Sequence, residues 1–190
     1  MYSRIAFSGS HGVGKTSLLS ELYDWFVKRH FSVHVIPESA RLLTELSNNP
    51  DYFLKDYTLN KQLEVLLFQV AAEGLAAHKV SNTILLSDRT GLDVWAYAKI
   101  KFPDTCNSSI GVALERLIAE LTLSTFERIY FVPIEFQLPK TRDRIQDVSF
   151  QKEIEKKIIE LYVRYSVEFK SISGDLSLRA EKVINDLGFA

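Results

Sequence analysis

A single cysteine, Cys106, stands in the whole chain of 190 residues. No intrachain disulfide can form, and a reducing cytoplasm is the expected setting. Cys106 falls in PDTCNSS, read as a loop, where a spectator thiol is the expectation rather than a nucleophile. An excess of charge of either sign is also missing: 24 acidic residues face 23 basic ones, a formal net charge of −1. That excludes a broad basic field for duplex nucleic acid, though not a local basic patch. No apolar run reaches the roughly 18 residues a membrane span needs. The longest compact ones, TILLS and IYFVPI, have the length of buried strands. The opening MYSRIAFSG carries no long apolar region and no cleavage site, so no signal peptide is expected. His11, His30, His34 and His78 share no ligand spacing with one another or with Cys106, and no structural metal is expected. There is no internal repeat, low-complexity tract or Gly/Ser linker. What is present is 46% apolar and 25% charged residues, enough for one domain, 1–190, with a core that needs no covalent staple.

Four short segments are nearly continuous in hydrophobicity: Arg4–Ser8, Ser32–Pro37, Thr83–Ser87 and Arg128–Pro133. That is the pattern of strands covered on both faces, as in parallel sheets. Val167–Ile172 is a fifth, weaker candidate. Helical stripes lie between them. Leu18, Leu19, Leu22, Trp25 and Phe26 form one; Leu63, Leu66, Leu67 and Val70 another, in Asn60–Val80, although Gly74 interrupts it. Leu114, Leu117, Ile118 and Leu121 mark a helix over Ser108–Leu123, and further stripes run from Phe150 onward and from Leu178 to Leu187. Strand–helix alternation predicts an α/β fold with a parallel sheet and right-handed crossovers. Asn48–Tyr57, Phe102–Ser109 and Glu135–Ser149 are read as loops.

Glycine is scarce at eight residues, yet three of them, Gly9, Gly12 and Gly14, crowd into FSGSHGVGKTSLLSEL just ahead of Lys15. The stretch matches G-x-x-x-x-G-K-[ST], with Gly9 first, Gly14 sixth, then Lys15 and Thr16. Glycines admit positive φ and let a backbone approach a ligand closely. Successive N–H groups then form an anion-binding nest, and the helix behind it adds the partial positive charge of its N-terminus. Lys15 is placed to reach the β- and γ-phosphates of ATP, and the Thr16 hydroxyl to ligate Mg²⁺. The expected phosphate-binding set is Gly9, His11, Gly12, Val13, Gly14, Lys15, Thr16 and Ser17. His11 is within reach of a phosphate, with a solvent-facing loop position as the plainer reading.

Three further stretches bear on what happens to the phosphate. In VIPESAR, Glu38 and Arg41 fall past the carboxyl end of the second strand, the edge where ligands bind in open α/β sheets. Glu38 there accepts a proton from an attacking hydroxyl or binds a sugar hydroxyl, or else offsets a helix dipole. In TILLSDRTGLDVWAYAK, Asp88 ends a buried strand and is placed as a Mg²⁺ partner, with Arg89 as an anion clamp. Asp88 or Thr90 alternatively caps the next helix, and Asp93 is expected to be solvated. In LPKTRDRIQDVSFQKEI, the cluster Lys140, Arg142 and Arg144 reads as a lid over about 135–150, with Asp143 and Asp147 as neutralising neighbours. Gly174, after the fifth strand, is placed to border the adenine.

With GSHGVGKT, PESAR, SDRTGLDVWAYAK and TRDRIQD in that order, the chain resembles the small P-loop kinase-like ATPases related to the ribosylnicotinamide kinase domain, often labelled AAA-type by sequence. More distantly it looks like the thymidylate and deoxynucleoside kinases. The resemblance implies a P-loop three-layer sandwich with a five-stranded parallel sheet and a lid, and phosphoryl transfer from ATP with Mg²⁺ to a nucleoside- or nucleotide-like acceptor. It implies Glu38 as the base toward a 5′-hydroxyl, Asp88 and Arg89 as the acid–arginine pair after the third strand, and Arg142 and Arg144 as lid arginines. Ser39, where deoxynucleoside kinases carry proline, sets the chain apart from them.

The expectation is therefore an ATP-dependent small-molecule kinase. Lys15, Glu38, Asp88, Arg89, Arg142 and Arg144 form the catalytic set, and Thr16 and Asp88 hold Mg²⁺. Arg89 or Arg41 would hold an acceptor anion, and the Asp51–Leu67 region with Trp95 and Tyr97 would line the acceptor pocket, although core packing is the plainer use of Trp95. Two rivals stay open: a kinase acting on a nucleic-acid end or a modified DNA base, which near-neutral charge disfavours, and an ATPase switch without a small acceptor. No membrane partner is expected, and a homodimer is left open.

Overall fold

Short runs of continuous hydrophobicity become strands whose two faces are both covered. The computed structural model describes residues 3–53, 57–79 (the backbone alone for 77–79), 83–135 and 148–189. In chain order the elements are β1 (Arg4–Ser8), α1 (Lys15–Val27), β2 (Ser32–Ile36), α2 (Ser39–Leu46), α3 (Leu59–Lys79), β3 (Thr83–Asp88), α4 (Gly91–Lys101), α5 (Pro103–Cys106), α6 (Ser109–Thr125), β4 (Arg128–Phe131), α7 (Val148–Arg164), β5 (Lys170–Ser171) and α8 (Leu176–Asp186).

The five strands pair in parallel in the order β2-β3-β1-β4-β5. Alternation along each strand sends neighbouring residues to opposite faces. Ala6, Leu85, Ile129 and Phe131 enter a core shared with Leu66 of α3, Leu92 of α4, Ile118 of α6 and Ile154 of α7. Ile5, Phe7, Leu86 and Tyr130 enter a second core with Leu18 and Leu22 of α1 and Val183 of α8. The register sets Phe7 beside Asp88, Ser8 beside Phe131 and Ile36 beside Ser87. The residues that follow β1, β2 and β3 therefore emerge at one edge of the sheet.

Two segments read as loops or solvated positions differ. Phe102–Ser109 contains α5, a single turn with Pro103 at its start, and Cys106 is fully buried within it. Gly111 allows this turn to sit against α6, since a Cβ there would lie 2.4 Å from the Thr105 carbonyl oxygen. Asp93 is buried rather than solvated: it caps α4 reciprocally with Thr90 and accepts from Ser8 Oγ at 2.7 Å and Tyr162 Oη at 3.0 Å. The fifth strand shrinks to Lys170–Ser171, although Val167 and Ile172 are buried as their hydrophobicity requires.

One buried acid has a measurable consequence. Glu73 of α3 is 2% exposed and accepts from Gln69 Nε2 at 2.8 Å. Burial pushes its carboxyl from 4.5 up to about 8. Between those values the folded chain holds a proton that the unfolded chain has released, so this group's contribution to stability falls as pH rises from 4.5 to 8. Glu73→Gln is expected to unfold roughly 3–6 °C above wild type at pH 8.5 and at nearly the same temperature at pH 5. Thermal unfolding curves that stay parallel across this range would contradict the assignment.

Candidate functional site

The loop after β1 turns back on itself because three glycines take positive φ: Gly9 at 134°, Gly12 at 78° and Gly14 at 92°. At Gly9 a side chain is excluded, since a Cβ would sit 2.5 Å from the Val132 carbonyl oxygen. Gly14 is the N-cap of α1, which has no side-chain cap and no acid in its first turn. The helix N-terminus is thus left open to an anion. Val13 points into the core, so it can offer only backbone to a ligand, and Ser17 lies exposed in the first turn of α1. Lys15 is folded into the loop, with Nζ donating to Gly9 O at 2.9 Å and Ser10 O at 2.6 Å. Burial, with Arg89 adding repulsion, lowers its pKa from 10.5 to about 8.

Asp88 and Thr16 meet as expected: Thr16 Oγ1 donates to Asp88 Oδ2 at 2.7 Å. Asp88 Oδ1 is buried with no hydrogen-bond partner, and burial raises the carboxyl's pKa despite Lys15 nearby. A buried, under-satisfied carboxylate beside a hydroxyl suits a hard cation such as Mg²⁺, which would supply the missing positive charge. The helix-capping alternative for Asp88 does not hold, because Thr90 takes that position.

Arg89 follows with φ at 89°, a left-handed conformation that is strained for a side chain of this size. Its surroundings hold it there. Nε and Nη2 donate to Glu38 Oε1 at 3.0 and 2.8 Å, and Nη1 donates to Gly9 O at 3.0 Å. Glu38 is the N-cap residue of α2 but makes no side-chain capping bond; its carboxylate goes to Arg89 instead. The Arg89 guanidinium also lies over the Tyr97 ring, 5.0 Å from its centroid. One ion pair therefore links the ends of β2 and β3 to the glycine loop.

The other expected site residues divide. Arg41 is about half exposed and pairs with Glu45 along its own helix at 3.8 Å, so it does not join this cluster. Trp95 is buried and donates from Nε1 to Glu115 at 2.9 Å, which makes it core and rules it out as a base-stacking platform. Tyr97 does reach the site. Lys140, Arg142, Arg144, Asp143 and Asp147 lie outside the described residues. His11 is not solvent-facing: its half-buried ring packs against Tyr97 and Phe150.

Four residues escaped the sequence reading. Arg179 of α8 donates to Val13 O at 2.7 Å and to Glu135 Oε2 at 2.6 Å, and the same Glu135 oxygen accepts from Gly174 N at 2.9 Å. Gln151 of α7 donates to His11 O at 2.7 Å. Gln69 of α3 is fully buried, donates to Ser87 Oγ and to the Arg89 carbonyl, and accepts from Ser39 Oγ. Three of them left a common signal: Arg179, Gln151 and Gln69 are polar residues on the buried stripe of an amphipathic helix, beside Val183, Ile154 and Leu66 respectively.

The family model described as an AAA domain matches residues 4–179. Among solved structures the chain is similar to deoxyadenosine kinase from M. mycoides with products dCMP and a flexible dCDP bound, at 16% identity and a TM-score of 0.66, covering 98% of this chain and 99% of that one. A second structure of the M. mycoides enzyme, with bound dATP, gives 16% identity and a TM-score of 0.66 over 96% and 97% of the two chains. A comparison with curated proteins finds no match. The parallel α/β fold is that of a P-loop nucleotide-binding protein.

Proposed function

The chain belongs to the AAA domain family, a match that spans residues 4–179, and we propose that it is an ATP-dependent nucleoside kinase. The observation that carries the reading is the Glu38–Arg89 ion pair tied to Gly9 at the mouth of the phosphate loop. A carboxylate fixed beside a phosphate-binding loop can orient the group that attacks the terminal phosphate, a substrate hydroxyl in a kinase or water in an ATPase. Both Glu38-directed bonds of Arg89 fall on Oε1 and hold the carboxylate beside the glycine loop. Glu38 then positions the acceptor hydroxyl and takes its proton as the oxygen–phosphorus bond forms.

The main-chain N–H groups from Gly12 to Thr16 bind the phosphates, and Lys15 leaves the Gly9 and Ser10 carbonyls to pair with them. Mg²⁺ would be held by Thr16 and Asp88 and would neutralise charge on the phosphate chain. Catalysis rests on position and electrostatics rather than covalent chemistry.

Among the described residues, the charge balance favours a neutral acceptor over a nucleoside monophosphate. Three nitrogens of Arg89 are committed to Glu38 and Gly9, and Arg41 pairs with Glu45. A second phosphate would meet the Glu38 carboxylate with those cations already engaged. The similarity to deoxyadenosine kinase supports the same acceptor class. The test is a panel of nucleosides, nucleoside monophosphates and oligonucleotides offered with γ-labelled ATP and Mg²⁺. Label is expected in a nucleoside. Label in a monophosphate or an oligonucleotide would reject the neutral acceptor, and slow release of phosphate with no labelled acceptor would favour a switch.

A further inference from the structure

The glycine loop is gripped from two flanks. On one, Arg179 of α8 donates to Val13 O. On the other, Arg89 donates to Gly9 O, and two more side chains converge on His11. Tyr97 Oη of α4 accepts from the His11 amide N–H at 3.1 Å, and Gln151 Nε2 of α7 donates to the His11 carbonyl at 2.7 Å. Both sides of one residue's backbone are thus held by side chains 86 and 140 positions away in sequence. Gln151 is 1% exposed, so its amide is dedicated to an interior partner.

The side chain of His11 is gripped as well. Tyr97 Oη, having accepted from the amide, has its own proton left to donate, and His11 Nδ1 stands 3.2 Å away. Where Nδ1 accepts that proton, the imidazole carries its own on Nε2. Phe150, next to Gln151, packs against the same ring with centroids 5.9 Å apart.

The flank matters because a nucleotide has two ends. On the reading of the site as a phosphotransferase, the terminal phosphate must face Glu38. The Glu38–Arg89 pair lies on the flank that grips Gly9 and His11, whereas Arg179 grips the opposite flank at Val13. Groups that hold His11 therefore act on the part of the loop nearest the γ-phosphate. The donors at Gly14, Lys15 and Thr16, at the head of α1, serve the inner phosphates whichever nucleotide is bound.

We propose that Tyr97 and Gln151 are positioning residues that act through His11 to make the loop distinguish a nucleoside triphosphate from a diphosphate. This inference rests on the phosphate-binding reading of the loop. Losing the Tyr97 bond frees the Ser10–His11 peptide and losing the Gln151 bond frees the His11–Gly12 peptide, and the interactions lost are those with the terminal phosphate alone.

The test compares binding of Mg²⁺–AMP-PNP, a non-hydrolysable triphosphate, with Mg²⁺–ADP by calorimetry in wild type, Tyr97→Phe and Gln151→Met. Both substitutions roughly keep side-chain volume; the first removes the Tyr97 hydroxyl and the second the Gln151 amide. In each variant the triphosphate-to-diphosphate affinity ratio is expected to fall about five- to tenfold, with ADP affinity changed less than about twofold. Equal weakening of both nucleotides would reduce the two residues to general support of the loop and overturn the inference, as would an unchanged ratio over tight wild-type binding. A wild-type chain that binds neither nucleotide would overturn the phosphate site itself, and this inference with it.

Discussion

Glu38→Gln is expected to slow phosphoryl transfer by about a hundred- to ten-thousandfold while ATP affinity stays within about threefold of wild type. The amide keeps the size of the carboxylate and can still accept from Arg89 Nε or Nη2, which now stand 3.0 and 2.8 Å from Oε1. It can no longer take a proton from an acceptor hydroxyl. Arg89 retains its bond to Gly9 O, so the glycine loop keeps its shape and the nucleotide its site. Loss confined to turnover, with the ATP dissociation constant preserved, is the signature of a group that acts in the transition state. Equal losses in turnover and ATP affinity would instead mark Glu38 as a strut for Arg89 and remove it from the acceptor role. Steady-state kinetics combined with direct nucleotide titration separates the two.

Lys15→Met is expected to weaken Mg²⁺–ATP binding by about a hundredfold or more and to abolish turnover, with the fold intact. Two charge-assisted hydrogen bonds to phosphate, each worth about 1.5–3 kcal/mol, account for a loss of that size. The effect on the nucleotide-free chain runs the other way. Lys15 is 5% exposed and its pKa is lowered from 10.5 to about 8, chiefly by burial. Below pH 8 both folded and unfolded chains carry the charge, and the folded state bears its full desolvation cost. Between 8 and 10.5 the unfolded chain holds a proton the folded chain has released, so stability from this group rises with pH through that window. Methionine removes the charge, and the variant is expected to melt no lower than wild type at pH 7. The same shift predicts that ATP binding near pH 8.5 takes up a proton, because phosphate restores the charged form. Calorimetry in buffers of different ionisation enthalpy reads that uptake, which the variant should lack.

The parts of the site that chain neighbours build were the parts visible beforehand. The glycine loop, Lys15 and Thr16 sit within eight consecutive residues, and their chemistry follows from a strand, a turn and a helix N-terminus in succession. Asp88 and Arg89 were placed by the end of a hydrophobic run, and the sheet register then brought them beside Phe7. Arg41 misses the cleft because it lies two residues past Ser39, the buried residue of α2, and so about 200° around the helix. Asp93 reads as solvated from sequence because its partners Ser8 and Tyr162 lie 85 and 69 residues away. The short α5 has no room for a hydrophobic period, so a single turn with proline at its head reads as loop. Arg179 and Gln151 show the general limit: a polar residue on a buried stripe announces that it has a partner, but only the fold says which one.

The most direct measurement is an equilibrium titration of the nucleotide-free chain with Mg²⁺–ATP at pH 7.5, set beside the same titration of Lys15→Met. Saturable binding of one nucleotide per chain is predicted for wild type, with at least a hundredfold loss in the variant. No binding by a wild-type chain shown to be folded, or equal binding by both proteins, would contradict the phosphate loop and every role assigned around it.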